Sequence, residues 1–109
     1  MVEKEITELK NTLIKFFQKK DVNLYKLVVF GSYAKRLNNE KSDIDLVIVS
    51  KDFRGKDIFE KIKLISGIHK ELVRKFRRPF DLMYYSDTEW NKGSSILINS
   101  AKKEGITIY

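Results

Sequence analysis

The sequence predicts an α+β fold, a two-layer α/β sandwich in which a mixed sheet of about four strands carries helices mainly on one face. Three observations predict it. Apolar residues recur at three- and four-residue spacing in long stretches, the mark of a helix with one buried side. Short runs of β-branched and aromatic residues fall between those stretches and read as strands. Turn-forming residues separate the two kinds, giving the order α-β-α-β-α-β-α-β within 109 residues. A chain of this length fits one domain, taken as 1–109.

Ile6, Leu9, Leu13, Phe16 and Phe17 line one face of a first helix over Glu3 to Lys20, with glutamates early and lysines late as the helix dipole favours. Asp21-Val22-Asn23 reads as a turn before a strand from Tyr25 to Phe30 that ends at Gly31. Ser32 to Leu37 reads as a short helical turn, followed by a polar loop. A second strand runs from Asp43 to Val49, nearly continuous in Ile, Leu and Val apart from Asp45, as expected of a strand covered on both faces. Ile58, Ile62, Ile65, His69, Leu72 and Phe76 predict one long amphipathic helix from Asp57 to Phe76. Pro79 blocks more helix and opens a third strand, Phe80 to Tyr85. Ser86 and Glu89 have the capping-box spacing of a last helix reaching Lys103. Gly105 stops it before a terminal strand, Ile106 to Tyr109.

Composition narrows the chemistry. Without cysteine there is no disulfide, thiolate metal site or cysteine nucleophile, and His69 is the one histidine. A metal must then be held mainly by oxygen, which suits magnesium, manganese or calcium. The net charge of +7 favours phosphate-rich or acidic partners. The charged start and the short apolar runs predict a cytoplasmic protein that does not enter a membrane.

Asp43 and Asp45 interrupt an apolar strand two residues apart, so their carboxylates project from the same face. Like charges there repel and are poorly solvated, a strain that a divalent cation relieves. Asp81 reaches the same point if the third strand lies beside the second. Gly31-Ser32 stands where a strand gives way to a helical turn, a place where free amides and a hydroxyl can hold a phosphate. The Walker pattern G-x-x-x-x-G-K-[ST] is absent. Together these parts describe a triphosphate site of the two-metal kind.

Gly31-Ser32-Tyr33-Ala34-Lys35-Arg36, five further residues, then Ser42-Asp43-Ile44-Asp45-Leu46 resembles the signature of the DNA polymerase β-type nucleotidyltransferases, with Asp81 as the third aspartate. The short length is similar to the minimal nucleotidyltransferase (MNT) group, and Arg36 departs from a position where that group often has glycine. The resemblance implies a nucleotidyltransferase fold and transfer of a nucleoside monophosphate from ATP, with two Mg2+ ions, to an acceptor hydroxyl. It implies that Asp43 and Asp45 bind both ions, that Asp81 joins the catalytic ion and helps take the acceptor proton, and that Gly31 and Ser32 hold the β- and γ-phosphates. It also implies a partner, since larger relatives grip base and acceptor with an extra domain. MNT proteins resemble antitoxins of helical HEPN toxins, which are ribonucleases, and some adenylylate the toxin on tyrosine. Transfer to RNA or a small molecule, and a non-catalytic toxin-binding module, are the alternatives, with self-association open.

Other residues have plainer readings. His69 reads as a histidine bonded to a neighbour, and Trp90 as core or interface. One of Tyr84 and Tyr85 faces the site while the other packs in the core. Arg74-Lys75-Phe76-Arg77-Arg78 is a basic cluster suited to RNA contact, or to the favourable end of a helix dipole.

Overall fold

The computed structural model describes residues 3–31 and 43–109. Its first helix, α1 (Glu3–Lys20), has the predicted bounds, with Glu3 and Glu5 in the first turn and Lys19 and Lys20 in the last. Strand β1 (Lys26–Phe30) follows, and β2 (Ile44–Val49) is buried along its length except at Asp45. The short helical turn expected at Ser32 to Leu37 lies outside the described residues.

After β2 a 3-10 turn at Lys51–Phe53, absent from the sequence reading, is capped by the Ser50 hydroxyl and seats Phe53 in the core. The long helix expected from Asp57 to Phe76 is two: α2 (Ile58–Leu64) and α3 (Ile68–Phe76). The break falls at Gly67, whose φ of 94° is left-handed and open to glycine at little cost. Helical periodicity runs unbroken across Ile65 and Ile68, so spacing alone does not reveal the interruption. Ile58 and Ile62 of α2 consequently remain half exposed, while Ile65, Ile68 and Leu72 are buried.

Strand β3 (Phe80–Tyr85) has its predicted limits. The last helix is again two, α4 (Asp87–Lys92) and α5 (Ile96–Glu104). Gly93, left-handed at φ 67°, closes α4 by donating to the Glu89 and Trp90 carbonyls, and the Ser95 hydroxyl caps α5. The predicted capping box of Ser86 and Glu89 is present. The terminal strand β4 (Ile106–Thr107) is shorter than expected, although the Ile108 amide still donates to the Leu27 carbonyl at 2.9 Å.

The sheet order is β3-β2-β1-β4, with β2 and β3 parallel and the other pairs antiparallel. The α+β class and the mixed four-stranded sheet agree with the sequence. On one face Leu27, Val29, Ile44, Leu46, Ile48 and Phe80 pack against α1, α3 and Phe53, forming the larger core. On the other, Val28, Val47 and Val49 meet Trp90 of α4 and Ile98 and Ala101 of α5. Helices thus cover mainly the first face, and α4 and α5 cover part of the second. No described helix is long and apolar enough to cross a membrane.

Candidate active site

The parallel register of β2 and β3 makes Asp45 and Asp81 direct neighbours across the strands. Both alternate with the apolar residues of the larger core, so they share the other face with Val47, Val49, Met83 and Tyr85. The valines of that face lie under α4 and α5, whereas Asp81 is exposed and Asp45 part-exposed. Asp43, two residues before Asp45, is exposed as well. Among the described residues, the carboxylates therefore occupy the end of this sheet face that α4 and α5 leave uncovered.

Gly31 completes this corner. It directly follows β1, where Phe30 is the antiparallel partner of Asp45. Its φ is 80°, and a Cβ placed on it would fall within the Asp45 carboxylate. Two independent demands thus select glycine here, a left-handed backbone and contact with an acid side chain. Ser32, expected to join Gly31 at the phosphates, lies outside the described residues, as do Arg36 and Ser42.

Burial pushes the Asp45 carboxyl above the usual carboxylate range, and the negative charges of Asp81 and Asp43 push it further. The three acids therefore interact electrostatically. Among the described residues, however, no group of three acidic or histidine side chains is placed to hold a metal ion. The donor set still fits the ion: it offers only carboxylate oxygen, which suits magnesium, and a divalent cation would offset the repulsion that adds to burial in raising Asp45.

The remaining candidates separate. Tyr85 shares the aspartate face, but Asp81 and Met83 precede it on the strand and it sits beside α4 and α5. Tyr84 packs on the other side, edge-on to Phe53 at 6.0 Å. His69 Nε2 pairs with the Phe80 carbonyl at 2.9 Å, the neighbour bond expected of it, and Trp90 is core. The basic cluster divides, with Arg78 buried and Arg74, Lys75 and Arg77 exposed. Arg78 is buried with Glu5 at 3.4 Å, the Lys75 ammonium donates to the Thr12 hydroxyl at 2.8 Å, and Arg74 stands 4.0 Å from Glu71. Phe30, which the sequence reading did not single out, is the apolar neighbour of Asp45. Only the strand register reveals it, and the register of strands separated by residues 31–43 is not encoded by a tight turn.

The family model described as nucleotidyltransferase domain matches residues 10–106. No curated protein gives a significant match. Among solved structures, a chain of a toxin-antitoxin complex with AMP-PNP is similar at TM-score 0.64 and 21% identity, covering 91% of this chain and 71% of that one. A putative nucleotidyltransferase from Sulfolobus solfataricus gives 0.61 and 19%, covering 94% and 77%. A chain of the complex between tri-AMPylated Shewanella oneidensis HEPN toxin and MNT antitoxin gives 0.58 and 19%, covering 95% and 71%. At these identities the structural likeness is one of fold, and it agrees with the family match over most of the sequence. With the paired aspartates, the third acid in register and the glycine against them, the chain belongs to the nucleotidyltransferase domain family.

Proposed function

We propose that this chain is a cytoplasmic, single-domain minimal nucleotidyltransferase that transfers AMP from ATP to a tyrosine hydroxyl of a HEPN-type toxin, and so acts as its antitoxin. The observation that carries the reading is the register of Asp45 with Asp81, with Gly31 packed against the Asp45 carboxylate. Support for the partner comes from the similar toxin-antitoxin and MNT–HEPN complexes.

In this reading Asp43, Asp45 and Asp81 are the residues that would hold magnesium, two ions in all. Bound magnesium would supply charge neutralisation for the triphosphate and activation of the acceptor oxygen. Gly31, with Ser32 after it, accepts the β- and γ-phosphates close to the backbone, where a side chain would intrude. The acceptor oxygen bonds to the α-phosphorus, the bond to the bridging oxygen breaks, and pyrophosphate leaves. Asp81 helps take the hydroxyl proton. The exposed position of Asp81 and Asp43 leaves room for a macromolecular acceptor at this corner.

The test is to isolate the chain with its natural partner and incubate both with ATP and magnesium. Mass spectrometry should find AMP on a partner tyrosine, and Asp43→Asn or Asp45→Asn should abolish it. Neutralisation of the partner by the doubly substituted chain, with no adduct at any time, would instead make the protein a binding module. Label entering RNA rather than protein would move the acceptor to RNA.

A further inference from the structure

A basic surface lies on the far side of the sheet from the aspartates, in the groove between α1 and α3. A cavity of about 140 Å³ there is lined by Thr12, Lys15, Phe16, Lys19, Glu71 and Lys75. An adjoining depression of about 390 Å³ shares Glu71 and adds Lys70, Arg74 and the Gly67 backbone. Together five cations face one carboxylate. Lys15, Lys19, Lys70, Arg74 and Lys75 are all exposed. Phe16 is only partly covered by the core, so its ring forms an apolar wall within the basic groove. Of the cluster read from Arg74 to Arg78, Arg78 turns inward and Phe76 is partly covered, while Arg74, Lys75 and Arg77 stay outside, and the fold brings Lys15 and Lys19 of α1 beside Arg74 and Lys75.

We infer that this groove binds single-stranded nucleic acid. A row of exposed cations tracks a phosphate backbone, and an aromatic ring among them offers a stacking surface for an unpaired base. A duplex keeps its bases stacked and cannot use the ring, so the preference is for single strands. The sheet and its larger core separate this groove from Asp45 and Asp81, so a strand held here is docked and is not presented to the aspartates as an acceptor. The inference therefore stands or falls independently of the proposed transfer reaction.

The test measures binding of the whole chain to fluorescent single-stranded RNA, single-stranded DNA and an RNA duplex across a salt series. Both single strands should bind more tightly than the duplex, and the 2′-hydroxyl is read only if RNA outbinds DNA. Lys15→Glu with Lys19→Glu should weaken single-strand binding at least about tenfold and flatten the salt dependence by about 1.4 in logarithmic slope. Phe16→Leu should weaken it about fivefold or more with the slope unchanged. Lys92→Glu with Lys103→Glu, the same charge change on exposed residues of α4 and α5, should have little effect. Equal losses from the two lysine pairs would overturn the inference, as would duplex binding as tight as single-strand binding. So would competition by polyglutamate as strong as by RNA, which would make an acidic protein the occupant. The lysine pairs are solvent-exposed, so the comparison between them holds even if Phe16→Leu disturbs the core.

Discussion

The two faces of one sheet are built from the same strands to opposite ends. On the face toward α1 and α3, Ile44, Leu46 and Ile48 of β2 are fully buried. On the other face Val47 and Val49 are buried as completely, but the next positions in the same row are Asp45 and Asp43. A side-chain period of two lets one strand spend alternate residues on core and on chemistry. The lesson is that the candidate site needs no new element where α4 and α5 leave the sheet uncovered, because the strands already carry the acids. The comparison also predicts that substitutions on the two faces of β2 separate stability from activity.

The largest effect is expected at Asp45. Asp45→Asn should lower nucleotide transfer by about a thousandfold or more, the scale of losing a charge-stabilising group from a phosphoryl site. Without metal its melting temperature should stay level or rise a few degrees. Burial, then Asp81 and Asp43, raise the Asp45 carboxyl, so the folded state holds this proton more tightly than the unfolded state. That contribution to stability is present at low pH and is lost as pH rises through the raised value, and a neutral amide avoids the loss. A melting series with and without magnesium checks both halves.

One residue along, Leu46→Ala should do the reverse. Leu46 is fully buried in the larger core, and its truncation should cost about 3 kcal/mol in a denaturant titration. Activity of the fraction that remains folded should change little. Gly31→Ala joins the two behaviours, since the new methyl meets both a left-handed backbone and the Asp45 carboxylate. A stability loss of about 1–2 kcal/mol is expected, with a fall in transfer greater than the unfolded fraction explains.

The smallest effect belongs to the far end of the second face. Burial opposes ionisation of Glu89, but hydrogen bonds from the Ser86 amide and the Lys61 ammonium hold its carboxyl below the usual range. With a lowered folded value, its contribution is present above the unfolded pKa and is lost as pH falls through the folded one. Glu89→Gln should therefore cost about 1 kcal/mol or less near neutrality and progressively less in acid, read from melts over that range.

The same contrast explains what the amino acids revealed in advance. The bounds of α1 and β3 were legible because charge placement marks the ends of the helix and Pro79 and Ser86 bracket the strand. The strand placement of Asp45 and Asp81 was legible from the apolar runs they interrupt, and the register that joins them agrees with it, whereas Asp43, expected to open the second strand, lies just before β2. The helix breaks at Gly67 and Gly93 were not legible from periodicity, because apolar spacing continues across them while the backbone turns left-handed. Gly93-Ser94-Ser95 did carry a readable stop and cap, a glycine followed by the serine that caps α5. The split of the basic cluster was hidden for another reason: Glu5 and Thr12, which engage Arg78 and Lys75, come from α1, far away in sequence.

The most direct measurement follows radioactive α-phosphate from ATP into the natural partner, in magnesium, with wild-type protein and with Asp45→Asn side by side. The account predicts label on the partner with the wild type and none with the variant, although both are folded. Equal labelling by the two proteins, or no labelling by the wild type with any nucleoside triphosphate, would contradict it.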